Sequence, residues 1–298
     1  NGRSVIYDKV SDTYMVSIPE NAFGTDYEAS IALDATAGWS NLSIEGTDIA
    51  DNYTFNQVEG NKIYKIHAQE GDKEINTQLT FTFLPLLVME GTFGYDYAQG
   101  NISLLSPDAA EPTNSFAKVK WRGGTTNTAD KHKRNYKIKT LNEKGKKQEI
   151  SLLGMREDNN WILDAGQIDL FRLRNRIATE IWNDFATKPY YASKEPKAKS
   201  GVTGKVVEVI LNNEYRGIYS LTEAMDRKEL KLKKYDDENQ KFHGQLWKVS
   251  SWDKATFWDI DKDYDNTQET WHAFETKYPD IEDVNPTDYS PLYEAIDF

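Results

Sequence analysis

From Val5 to Phe83 the apolar residues fall in short alternating runs separated by clusters of Gly, Asn and Asp. Ser30-Ile31-Ala32-Leu33 and Lys62-Ile63-Tyr64-Lys65-Ile66 are two such runs, and Gln78-Leu79-Thr80-Phe81-Thr82-Phe83 closes the series. A period of two sends successive side chains to opposite faces, so each run predicts a strand with one face on a core. The expectation is an all-β, Ig-like sandwich over residues 1–84. Leu84-Pro85 ends it as a hinge, because the residue before a proline is pushed into extended backbone.

Residues 85–298 are patterned differently. Strand periodicity returns at Ser115 to Trp121, Asn135 to Leu141, Lys205 to Leu211 and Tyr215 to Leu221. Asn212-Asn213 separates the last two with residues that tolerate left-handed backbone, which predicts a hairpin. Over Leu170 to Trp182 the apolar positions 170, 173, 177 and 181 have the period of a helix, with Asp169 as its N-cap. Strands and a helix in this irregular order predict an α+β domain rather than a doubly wound parallel sheet.

Composition narrows the function classes. With 38% hydrophobic and 28% charged residues over 298 positions the chain folds, and it is long enough for two cores. The longest apolar stretch, Leu84 to Met89, is strand-sized and far short of the roughly 18 residues of a membrane span. A net charge of -12 argues against nucleic acid as a partner, since phosphate backbones are bound through excess Lys and Arg. The absence of cysteine removes disulfides, thiolate zinc sites and a thiol nucleophile. The abrupt Asn1-Gly2 start is what is expected of a trimmed chain from which a signal peptide has been removed.

The charge is unevenly spread. Lys118 to Lys147 holds eleven Lys or Arg against Asp130 and Glu143, an excess of +9 inside an acidic chain. Within it Lys137 and Lys139 share one face of a strand, opposite Tyr136 and Ile138, and Arg122 leaves an earlier strand. These three suit either a phosphate clamp or a solvated strand face. Glu223, after the hairpin, suits either orienting a lysine toward phosphate or a surface ion pair. Among Arg172, Arg174, Asn175 and Arg176, one side chain turned inward is a candidate ligand.

Other motifs fail on spacing. Asp259, Asp261, Asp263 and Asp265 begin like a calcium loop, but Tyr264 and Thr270 stand where the loop needs Gly and Glu. Gly201-Val202-Thr203-Gly204-Lys205 is too short for a phosphate loop and is followed by a strand. His67, His132, His243 and His272 lack metal-ligand spacing.

From about Leu84 onward the chain resembles the CotH kinase family, the spore-coat-protein-H-like phosphotransferases with a divergent protein-kinase-like fold. The carriers are Lys120-Trp121-Arg122-Gly123-Gly124, Lys133-Arg134-Asn135-Tyr136-Lys137-Ile138-Lys139, Trp161-Ile162-Leu163 with Asp169 and Arg174-Asn175, and the run Val206 to Arg227 through Asn212-Asn213-Glu214-Tyr215-Arg216-Gly217. Gly124 departs from the family's usual Asn. The resemblance implies transfer of the γ-phosphate of ATP, with Mg2+ or Mn2+, to Ser or Thr of an exported protein, at the cell surface or outside the cell. It implies nucleotide contacts from Arg122, Lys137, Lys139, Arg174 and Glu223. Members carry their catalytic and metal-binding aspartates in a later segment, and this sequence stops at Ile296-Asp297-Phe298. The implied behaviour is nucleotide binding with poor phosphate transfer. The alternative from another class is a surface protein whose aromatic-rich sandwich binds a glycan or a protein, with the kinase-like domain as scaffold.

Overall fold

The computed structural model describes residues 2–30, 41–49, 52–128, 130–251, 257–280, 284 and 286–298, so Ile31, Ala32 and Leu33 of the expected strand lie outside the described residues. The chain is mostly β, with two α-helices among the described residues. It forms two compact units, Asn1–Glu180 with Thr203–Glu223, and Ile181–Val202 with Ala224–Phe298.

The first unit opens with β1 (Ile6–Asp8), β2 (Thr13–Ser17), β3 (Tyr27–Ser30), β4 (Asn41–Ile44), β5 (Thr47–Asp48), β6 (Asn52–Phe55), β7 (Tyr64–Glu70) and β8 (Lys73–Thr82). Six of them form one sheet in the order β1-β2-β8-β7-β4-β5, and β3 pairs with β6. Phe55, Tyr64 and Phe81 fill the space between the two sheets. Phe55 meets Phe81 edge-on at 4.8 Å and Tyr64 at 4.9 Å between centroids, the arrangement that ring quadrupoles favour.

Seven further strands follow: β9 (Leu86–Glu90), β10 (Ala98–Leu105), β11 (Thr113–Arg122), β12 (Asn135–Leu141), β13 (Asn160–Asp164), β14 (Gly204–Leu211) and β15 (Glu214–Glu223). They close into a barrel, β10-β11-β12-β13-β15-β14-β9, because β9 pairs antiparallel with β10 and parallel with β14. Closure leaves no open edge on this sheet. Alternation dictates the filling. Val119, Ile138, Trp161, Leu163, Val207, Val209 and Leu221 are fully buried inside, and each contributes about 1.5–3 kcal/mol by leaving water. The intervening residues face outward.

Asn212 and Asn213, at φ 53° and 60°, make the expected tight turn between β14 and β15. Beyond it the register shifts between Val209 and Ile210, so Arg216 has no opposite residue and Gly217 takes φ 81°. Met15, Leu86, Leu105 and Ile210 pack the six-stranded sheet onto the barrel.

The helix α1 (Arg174–Phe185) starts four residues later than the periodicity predicts. Asp169 explains the delay. Its carboxylate accepts from the amides of Phe171 (3.0 Å) and Arg174 (2.8 Å), which folds the intervening residues into a turn with Arg172 at φ 64°. The Arg172 guanidinium holds that turn by donating to the carbonyls of Gly166 and Gln167. Leu170, the first of the four positions with helical period, lies outside the helix and is 89% exposed.

The second unit carries β16 (Leu246–Val249), β17 (Thr270–Trp271), β18 (Phe274–Tyr278) and α2 (Ser290–Asp297). Its core is Ile260, Trp271, Phe274, Tyr289 and Leu292. In the acidic loop Asp263 accepts from the indole of Trp271 at 3.0 Å and Asp265 from the amide of Thr267 at 2.9 Å, so both act as local turn braces. No described helix is long and apolar enough to cross a membrane.

Candidate nucleotide site

β11 and β12 are registered so that Lys118 stands opposite Lys139, Lys120 opposite Lys137, and Arg122 opposite Asn135. Val119 and Ile138 point into the barrel, so by alternation the five basic residues lie together on its outer face. Like charges directly opposite one another in a sheet destabilise it by up to about 1 kcal/mol per pair. None of Lys118, Lys120, Arg122 or Lys139 forms an ion pair among the described residues. Those four side chains thus leave positive charge on the outer face that no described carboxylate answers, which suits an anion.

Tyr97, just before β10, completes the face. Its ring lies 4.9 Å from Lys120 Nζ and 4.8 Å from Lys139 Nζ, a double cation–π contact. Its hydroxyl is buried and makes no hydrogen bond among the described residues, and burial raises its pKa. Asn160, opposite Lys139 on β13, also has a buried side-chain oxygen without a partner. Buried polar atoms are nearly always satisfied, so these two atoms beside two lysines hold hydrogen-bonding capacity that the described residues do not use.

The outer end of β13 anchors α1 to the same side of the barrel. Asp164 accepts from the Gly166 amide at 3.0 Å and from Asn175 Nδ2, on α1, at 3.2 Å. Arg176 lies 5% exposed against Gly204, where a Cβ would come within 2.3 Å of its Nη1, and its Nε faces Glu180 at 3.2 Å. Gly204 is therefore the close-approach residue that leaves room for the Arg176 side chain beside β14 and Thr222.

Three of the sequence candidates come together: Arg122, Lys137 and Lys139 share the lysine face. Arg174 instead begins α1, with Nε 3.4 Å from Asp169 and its guanidinium 4.8 Å from the Phe171 ring centre. Glu223 lies on the inner side, because its cross-strand partner Trp161 is a core residue. It is 1% exposed, and its two oxygens accept from the amides of Arg156 at 2.9 Å and Thr203 at 3.0 Å.

Sequence reasoning did not select Lys118, Lys120, Tyr97 or Asn160. The two lysines were within reach, since they precede Arg122 by two and four positions on one strand face. Tyr97 had no signal, because only the β9–β10 connection brings it there. A further lysine, Lys133, is half-buried where the chain enters β12. Its ammonium donates to the Ile218 carbonyl and sits 4.1 Å from the Tyr219 ring centre. Burial, helped by the nearby Arg172 charge and opposed by Asp164, lowers its pKa to about 8.

Among the described residues no three imidazole or carboxylate side chains converge to hold a cation. A nucleotide polyphosphate fits the lysine face on charge and can accept from the Tyr97 hydroxyl, whereas Asn160 Oδ1, an acceptor, needs a donor from another part of the ligand.

No curated protein matches the chain. A family model described as CotH kinase protein matches residues 119–298. That match covers more than half of the chain and takes in the end of β11 with Lys120 and Arg122, all of β12, and the β14–β15 hairpin. This chain belongs to the CotH kinase family.

Proposed function

We propose that the chain is a nucleotide-binding, atypical kinase-like phosphotransferase of divergent protein-kinase-like fold, acting on Ser or Thr of exported proteins outside the cytoplasm. The observation that carries this reading is the row of Lys118, Lys120, Arg122 and Lys139, without ion pairs among the described residues, beside two buried polar atoms that make no hydrogen bond there. ATP, when bound, supplies the phosphoryl group. Lys120 and Lys139 hold negative charge beside Tyr97, and Arg122 and Lys137 extend the cationic row. The Tyr97 ring keeps water from one side of both ammonium groups, which strengthens their pull on an anion. Its hydroxyl is a free donor, and Asn160 Oδ1 accepts from a ligand hydroxyl or amino group.

The experiment is calorimetric titration with ATP, with and without magnesium, beside a Lys137→Ala plus Lys139→Ala variant. Charge-assisted hydrogen bonds are worth about 1.5–3 kcal/mol each, less where water competes, so the double variant is expected to weaken binding roughly 10- to 100-fold. Equal binding by both proteins, or binding by neither, overturns the reading.

A further inference from the structure

A second concave surface lies farther along β11, toward its start. Asn101 and Ser103 of β10, Asn114 and Phe116 of β11, and Gln148 line a groove of about 840 Å³ on the outer face of the barrel. That volume is in the range of small-molecule sites. It is a deliberate mixture. Phe116 is 50% exposed and presents its ring to solvent from a strand whose alternate residues are core. Around it the side chains of Ser103, Asn114 and Gln148 make no hydrogen bond among the described residues, and Asn101 makes one long contact of 3.5 Å with Glu90.

We propose that this groove binds a neutral oligosaccharide, with Phe116 as the platform for one sugar ring. An aromatic ring attracts the C–H face of a pyranose through apolar contact and its negative π-face. Amides and a hydroxyl supply the paired donors and acceptors that vicinal hydroxyls require. The competing ligands fit less well. Glu90 and Glu143 at the groove face only Lys144, so a phosphate backbone meets net negative charge. An extended peptide binds a sheet chiefly by adding a strand to its edge, and β9, β10 and β11 are each paired on both sides.

The test titrates the whole chain with cellohexaose, xylohexaose, laminarihexaose and chitohexaose, beside Phe116→Ala and a double Asn114→Ala, Gln148→Ala variant. At least one sugar is expected to saturate the protein. Each variant is expected to weaken it about tenfold or more, with unchanged thermal melting because the three side chains are exposed. ATP titration of Phe116→Ala is expected to match the unmodified chain, so failure of the sugar site and failure of the nucleotide site read out separately. Saturation by none of the four sugars, or equal affinity in the parent and both variants, overturns the proposal.

Discussion

Glu223→Ala separates a structural carboxylate from a functional one. The side chain is 1% exposed at the end of β15, and it ties together Arg156, 67 residues earlier, and Thr203, 20 residues earlier, through their amides. Truncation leaves both amides without that acceptor. A hydrogen bond to a charged group is worth about 1.5–3 kcal/mol, and both amides are partly buried, so the discounted loss is about 2–4 kcal/mol. In a unit of this size each kcal/mol lowers Tm by about 2–4 °C, which puts the expected fall at roughly 5–15 °C. Glu223→Gln keeps one carbonyl oxygen as acceptor and should lose about half as much.

The assay is urea denaturation followed by tryptophan fluorescence, with Trp161 buried in the barrel as reporter. A lower midpoint at constant slope is the expected outcome, since the slope tracks the surface exposed on unfolding and that surface does not change. ATP affinity of the folded variant should be nearly that of the parent. An unchanged midpoint with abolished ATP binding would refute the brace and restore Glu223 as the group that orients a lysine.

Tyr97→Phe removes a buried hydroxyl that makes no hydrogen bond among the described residues while keeping the ring in contact with both lysines. It should stabilise the ligand-free protein by about 1–2 kcal/mol and weaken ATP roughly 3- to 10-fold; a lower Tm would show that the hydroxyl is satisfied. Lys133, with a pKa of about 8, should show a midpoint near pH 8 when its rate of acylation is followed against pH by mass spectrometry. At that pH about half of it is neutral, against roughly one in 250 for an ordinary lysine. Below pH 8 both the folded and unfolded states hold the proton, and the cost of burying the charge is present in full. Between pH 8 and about 10 the folded state releases it first, so stability rises with pH there, and Lys133→Met should flatten that rise. A midpoint near 10 would refute the burial argument.

Local pattern reached far into this molecule. Asn135 to Leu141 is β12 from end to end, and Asn212-Asn213 makes its turn, because alternation and left-handed tolerance are properties of neighbouring residues. The helix slipped because Asp169 had two amides within reach and took both, a choice between cap geometries that spacing alone does not rank. Barrel closure depends on β9 meeting β14 across more than a hundred residues of chain, and no local signal carries that pairing. The site shows the same division. That Lys118, Lys120 and Arg122 share a face follows from a period of two, and so does the placement of Glu223 on the side of Leu221 rather than with Thr222. What turns a row of lysines into a candidate site is the register of β11 on β12, which sets ammonium opposite ammonium where a solvated face would set acid opposite base. A stretch bearing eleven cations against two acids cannot supply such acids from within itself, so its charge excess already implied that something outside the segment has to answer it.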